Sequence, residues 1–161
     1  MSSGKILVAE INHIPILKFV GDVRVLMSST IDKYFMELYK KPILDAVLID
    51  LSETQGIDST ALGMLAKMAI QLRNRFNVTP TIISTNPDIT RILLSMSFDM
   101  IFKIENEALK TEANFGELSL VSEPEALIRT KVIEAHQTLM NLSEENKLEF
   151  QDLVNALKHN F

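Results

Sequence analysis

The chain has 161 residues, 47% of them hydrophobic and 23% charged, with a formal net charge of −5. That is the balance of one globular domain with room for an appendage, not of a disordered chain. Without cysteine there is neither a disulfide framework nor thiolate chemistry. His13, His136 and His159 are too far apart for metal-ligand spacing.

Charge is unevenly spread. Residues 1–104 carry 11 Lys and Arg against 10 Asp and Glu; residues 105–161 carry 5 against 11. Neither part has the basic surplus that nucleic-acid binding demands. The opening MSSGKILVAE lacks a sustained apolar run and a cleavage site, and no later run approaches the roughly 20 apolar residues a spanning helix needs. A soluble, cytoplasmic protein with no membrane contact, no metal and no cofactor is expected.

In chain order, KILVAE and IPILKFVG read as a hairpin closed by Asn12-His13. Leu26, Ile31, Phe35 and Leu38 fall near helical spacing between Val25 and Tyr39, with Pro42 beyond as a stop. AVLIDL reads as a buried central strand. A loop containing Gly56 should then lead to a helix over 59–76, with Leu62, Leu65, Ala66, Ala69, Leu72 and Phe76 on its buried stripe. PTIIST is the next strand, and Asn86-Pro87-Asp88 caps a helix carrying Ile89, Ile92, Leu93 and Met96. MIFKIE is the last strand. The order β-β-α-β-α-β-α-β predicts an α/β fold with a mixed central sheet and packed helices over residues 4–105.

Residues 106–161 form a second part. An aperiodic linker or wrapping segment precedes SEPE (Ser122 to Glu125), which matches a capping box. The helix that follows places Ile128, Val132, Ala135, Leu139 and Leu142 on one stripe. Ser143 can cap a second helix carrying Phe150, Leu153, Val154, Leu157 and Phe161. Together they predict a C-terminal helical hairpin.

The informative stretch is DLSETQGIDSTALGMLAKM, Asp50 to Met68, which joins strand to helix. Asp58 or Ser59 can cap the exposed helix N–H groups. Gly63, one turn in, lets another backbone or a partner come close. Thr60, Met64, Lys67, Met68, Gln71 and Arg75 form the helix's outward line, where adaptable methionines suit a partner surface. The alternative is that the hairpin covers them. Met27, Met36, Met96, Met100 and Met140 read as core fillers. Asp50 and Asp58 find no nucleophile or substrate pocket beside them, and no catalytic set has credible spacing, so no enzyme is expected.

The run Asp50, Leu51, Ser52, Ile57, Asp58, Ser59, Thr60, Ala61, Leu62 and Gly63 resembles the signature of the STAS family, in particular the anti-sigma factor antagonists. Ala61 and Ser97 stand where many members have glycine. The acidic hairpin lies outside the common domain and is similar to that of longer antagonists linked to flagellar-type regulators. The resemblance implies phosphorylation of Ser59 by a serine kinase and its reversal by a phosphatase. Asp50, Asp58, Thr60 and Gly63 would support the phosphosite; Met64, Lys67 and Met68 would contact the partner. The unmodified form would bind an anti-sigma factor, and phosphorylation would end that binding or switch the partner. The competing expectation is a STAS module that senses a nucleotide or lipid without a phosphoswitch. Whether the chain forms a homodimer is open.

Overall fold

A computed structural model of the chain describes residues 4–110 and 112–159. Strands β1 (Lys5–Ile11) and β2 (Ile14–Val23) form the expected antiparallel hairpin, with Ile11 opposite Ile14. Both turn residues, Asn12 (φ 51°) and His13 (φ 67°), are left-handed, as a two-residue turn matching the strand twist requires. A 3-10 turn, Val25–Met27, leads into α1 (Ser28–Tyr39). Ile31, Phe35 and Leu38 are buried as expected, but Leu26 is 70% exposed: the 3-10 turn breaks helical phase before it reaches the stripe.

Strand β3 (Leu48–Ile57) runs parallel to β2, and Asp58 follows it directly as the cap of α2 (Ser59–Phe76). The expected Gly56 loop is therefore strand. Gly56 pairs with Asp22, and a Cβ there would lie 2.8 Å from the Asp22 Oδ1, so the strand tolerates glycine at that point. Strand β4 (Thr81–Ile83), α3 (Pro87–Ser95), a 3-10 turn (Phe98–Met100) and β5 (Lys103–Glu105) complete the predicted order. The Asn86 side chain accepts from the Asp88 amide, with Pro87 in the first turn. Met36 and Met100 are exposed and are not core fillers; Met27 is buried.

The sheet order is β5-β4-β3-β2-β1-β6, parallel from β5 to β2 and antiparallel beyond. The last strand, β6 (Gly116–Glu117), comes from the linker and covers the β1 edge. The linker is tied down again where the Val121 amide donates to the Thr30 Oγ1 at 2.8 Å. It wraps the domain.

Helices α4 (Glu125–Met140) and α5 (Glu144–His159) form the C-terminal hairpin. Pro124, not Ser122, occupies the cap position of α4, and no side chain caps it. Ser143 does cap α5, its Oγ accepting from the Asn146 amide at 3.1 Å. In α4 only Ala135, His136 and Leu139 are fully buried; in α5, Asn146, Phe150 and Val154. Leu153 is exposed, Leu157 partly so, and Phe161 lies outside the described residues. No helix among the described residues is long and apolar enough to cross a membrane.

Candidate functional site

The site is built at the junction of β3 and α2. Asp58 has extended backbone (φ −85°, ψ 167°), which turns its side chain back over the open helix end. One carboxylate oxygen accepts from the Ala61 amide at 2.9 Å; the other accepts from the Val25 amide at 2.6 Å. The Asp58 amide itself donates to the Val23 carbonyl at 2.9 Å. Asp58 thus caps α2 and pins the chain entering α1. A charged acceptor at such a helix end contributes about 1 kcal/mol or more.

Ser59 is consequently the first residue of α2, and it is partly buried. Its Oγ lies 2.8 Å from the Nε2 of His136 in α4. His136 is 2% exposed, and its Nδ1 lies 2.7 Å from the Val132 carbonyl oxygen. A carbonyl only accepts, so Nδ1 carries a hydrogen. In the neutral ring Nε2 is then the acceptor and the Ser59 hydroxyl donates to it. The imidazole packs edge-on against Phe150 of α5, centroids 5.2 Å apart.

One turn along α2, a Cβ at Gly63 would fall 2.3 Å from the Ala135 carbonyl oxygen and 2.6 Å from its Cα. The α4 backbone rests on the glycine. Another turn on, Lys67 pairs with Glu134 at 3.2 Å. Glu134 and His136 therefore reach along α2 from either side of the Ala135–Gly63 crossing. A second anchor joins α4 to α1: Lys131 and Asp32 are 2.9 Å apart. Burial draws the Lys131 ammonium down, but the hydrogen bond and charge of Asp32, with Glu123 and Glu134, outweigh it and raise its pKa.

These contacts correct the expected outward line. Thr60, Met64 (2% exposed) and Met68 (0%) are buried, because α1 and α4 both pack on α2. Lys67 is partly exposed, and Arg75 lies 4.9 Å above the Tyr39 ring of α1. With the core stripe on its other side, α2 is apolar and buried over most of its circumference. Asp50 is also displaced from the expected site. Extended chain separates it from Asp58 by on the order of 20 Å, and its buried carboxylate accepts from the Ser52 amide at 2.9 Å. A groove of about 430 Å³ runs along the α2–α4 seam between Lys67, Gln71, Glu134 and Asn141, and another opens beside Asp50 and Ser52; Ser59 lines neither.

Two residues of the site region escape the sequence reading. His136 enters it only as a metal-ligand candidate that spacing dismisses. Asn146, buried in α5, donates through Nδ2 to the Met96 and Leu139 carbonyls, both at 2.9 Å, and so ties the hairpin to the segment after α3. A polar residue on the apolar stripe of each helix is the only sequence signal available for them.

The STAS domain family matches residues 5–111, more than half of the sequence, and the chain belongs to that family. Among solved structures, it is similar to an anti-sigma factor antagonist from Mycobacterium paratuberculosis (18% identity, TM-score 0.53, covering 63% of this chain and 85% of that one). It is likewise similar to a Thermotoga maritima protein described as a candidate anti-sigma factor antagonist (20% identity, TM-score 0.51, covering 60% and 82%). At these identities the likeness is one of fold. No curated sequence relative matches the chain. The hairpin, from Glu125 onward, lies beyond the family match.

Proposed function

We propose that this chain is a cytoplasmic, non-enzymatic anti-sigma factor antagonist switched by phosphorylation of Ser59. The observation that carries the reading is the position of Ser59, a partly exposed residue that opens α2 directly after the two-pronged Asp58 cap. A serine kinase transfers the γ-phosphoryl group of a nucleoside triphosphate to Oγ. The bond from phosphorus to the β-phosphate oxygen breaks, the nucleoside diphosphate leaves, and the hydroxyl proton passes to the kinase's base. A phosphatase reverses the state by hydrolysis.

The modification adds about −1.5 to −2 charges and three acceptor oxygens. The positive end of α2 tolerates them. The neighbouring Asp58 carboxylate concentrates the negative charge, so a partner docked there meets repulsion and an added desolvation cost. The unmodified form binds an anti-sigma factor and releases its sigma factor; the modified form loses that partner or exchanges it. Thr60 and Gly63 shape the surroundings of the phosphosite. Lys67 is the accessible partner contact, while Met64 and Met68 become contacts only if the packing around α2 opens.

Affinity capture with full-length Ser59→Ala and Ser59→Asp from the cell of origin tests the reading. An anti-sigma factor should be retained by Ser59→Ala and lost by Ser59→Asp. Equal capture of it by both variants contradicts the switch.

A further inference from the structure

We propose that the α4–α5 hairpin is a displaceable cover over the Ser59–Gly63–Lys67 stripe of α2, latched by the hydrogen bond from Ser59 Oγ to His136 Nε2. The proposal rests on the reading of Ser59 as the switch residue and adds a built-in competitor for the surface beside it.

The three stripe residues are spaced by four, so they share one face of α2. Each meets α4: Ser59 touches His136, Gly63 lies beneath Ala135, and Lys67 pairs with Glu134. The face nearest the switch hydroxyl is therefore occupied by the chain itself. A protein that docks on it must first lift α4.

The cover has the character of a removable element. It begins at Glu125, beyond the residues matched by the STAS family, which end at 111. Its hold on α2 combines three polar or backbone contacts (a hydrogen bond, an ion pair and the crossing at a glycine) with apolar packing, in which Leu139 and Phe150 share the core with Met64 and Met68. Apart from Ile70, the open groove along the seam is lined by polar side chains, among them Gln71, Glu134, Gln137 and Asn141, which water can satisfy when the helices part. Only three of the 16 residues of α4 are fully buried, and lifting the helix would uncover Met64 and Met68 of α2, the adaptable apolar contacts a displacing partner would have to cover in its place. The hairpin also turns Leu127, Leu148 and Leu153 to solvent.

The latch connects the cover to the modification. In the neutral ring, with Nδ1 committed to the Val132 carbonyl, His136 accepts from the Ser59 hydroxyl, and a phosphorylated Ser59 has no hydrogen on Oγ to donate. Phosphorylation therefore removes this hydrogen bond as it adds charge, and a bond from His136 to the phosphate oxygens can replace it only if Nε2 gains a hydrogen. The unmodified chain presents a covered, neutral stripe that a partner must win by displacement. With Nε2 bare, the modified chain presents an uncovered, negative stripe, the condition for exchanging one partner for another.

The absence of cysteine provides a clean test. Full-length Ala135→Cys places a single thiol at the crossing with α2, and Val47→Cys places one in the hydrophobic core just before β3 as a reporter of global opening; both parent side chains are buried. Reaction with a thiol reagent should be faster for the crossing thiol than for the core thiol. Ser59→Ala or His136→Ala in the Ala135→Cys background should each accelerate it about tenfold, roughly the value of one hydrogen bond with a stranded buried partner. Labelling of the core thiol should not change. Ser59→Ala and His136→Ala combined should be no faster than either alone, because both remove the same bond.

Two outcomes overturn the proposal. A common rate for the crossing and core thiols, left unchanged by Ser59→Ala, would make the hairpin a fixed part of the core. A crossing thiol that reacts, with Ser59 and His136 intact, as fast as a thiol in the unfolded chain would mean that nothing covers the stripe. Neither outcome alters the capture experiment with Ser59 variants, so the cover and the phosphoswitch can fail separately.

Discussion

Ser59 and His136, separated by 77 positions in the sequence, meet at 2.8 Å across the α2–α4 seam. The Val132 carbonyl fixes the direction of that bond by claiming the hydrogen on Nδ1. Nitrogen NMR of the neutral protein should show His136 protonated on Nδ1 and bare on Nε2, with the resonance responding to Ser59→Ala. The opposite tautomer would mean that the hydroxyl accepts, and that losing its hydrogen leaves the latch intact.

Gly63 and Gly116 make opposite predictions for the same substitution. Helix propensity alone favours alanine over glycine by about 1 kcal/mol, yet at Gly63 the new methyl meets Ala135 backbone at 2.3 Å. Overpacking against backbone costs about 1–3 kcal/mol, so Gly63→Ala should lower stability or lift α4 despite its better propensity. Gly116, in β6, has nothing within 4 Å of its added Cβ, and Gly116→Ala should stay within about 0.5 kcal/mol of the parent. Thermal unfolding of the two variants side by side checks the contrast.

Ser97 sits at φ 64°, ψ 27°, a left-handed conformation that costs an L-residue roughly 1–2 kcal/mol. Ser97→Gly removes that strain and returns part of the gain as chain entropy. The expected result is a stabilisation of up to about 1 kcal/mol by denaturant titration, whereas Ser97→Val should be destabilised.

Alkaline pH should unfold the protein through groups around α1. Burial, aided by the Glu10 charge, pushes the Tyr34 phenol up to about 12. Burial and the Asp32 charge, against an opposing pull from Arg75, do the same for Tyr39. From pH 10 to about 12 the unfolded chain gives up phenolic protons that the folded chain retains. The unfolded state then binds fewer protons, and stability falls as pH rises. The raised pKa of Lys131 acts in the same sense: its contribution is complete below 10.5 and is lost as pH climbs through the higher folded value. With two tyrosines and no tryptophan in the chain, phenolate absorbance should stay low at about pH 10.5 in buffer and be substantial in denaturant. Equal ionisation in both would contradict the burial of these rings.

Much of the architecture is legible because its signals are local. Asn12-His13 supplies the left-handed pair a tight hairpin needs, and the capped stripe from Ser59 to Phe76 marks the bounds of α2 without adjustment. Gly56 misleads because glycine among polar residues ordinarily marks a loop; only pairing with Asp22 of β2 shows it to be strand. The outward line through Met64 and Met68 is a true helical face, but whether water or protein meets a face is decided by elements far away in sequence. For the same reason nothing adjacent to Ser59 announces His136. Asp50 shares the motif with Ser59 on paper, and an extended β3 carries the two apart.

Phosphopeptide mass spectrometry of the full-length protein isolated from its own cells tests the central claim most directly. A single phosphoryl group localised to the hydroxyl that opens α2, removed by phosphatase and missing from Ser59→Ala, is the expected result. A chain that is never modified there under any growth condition, or that carries its phosphate on another residue, contradicts the account.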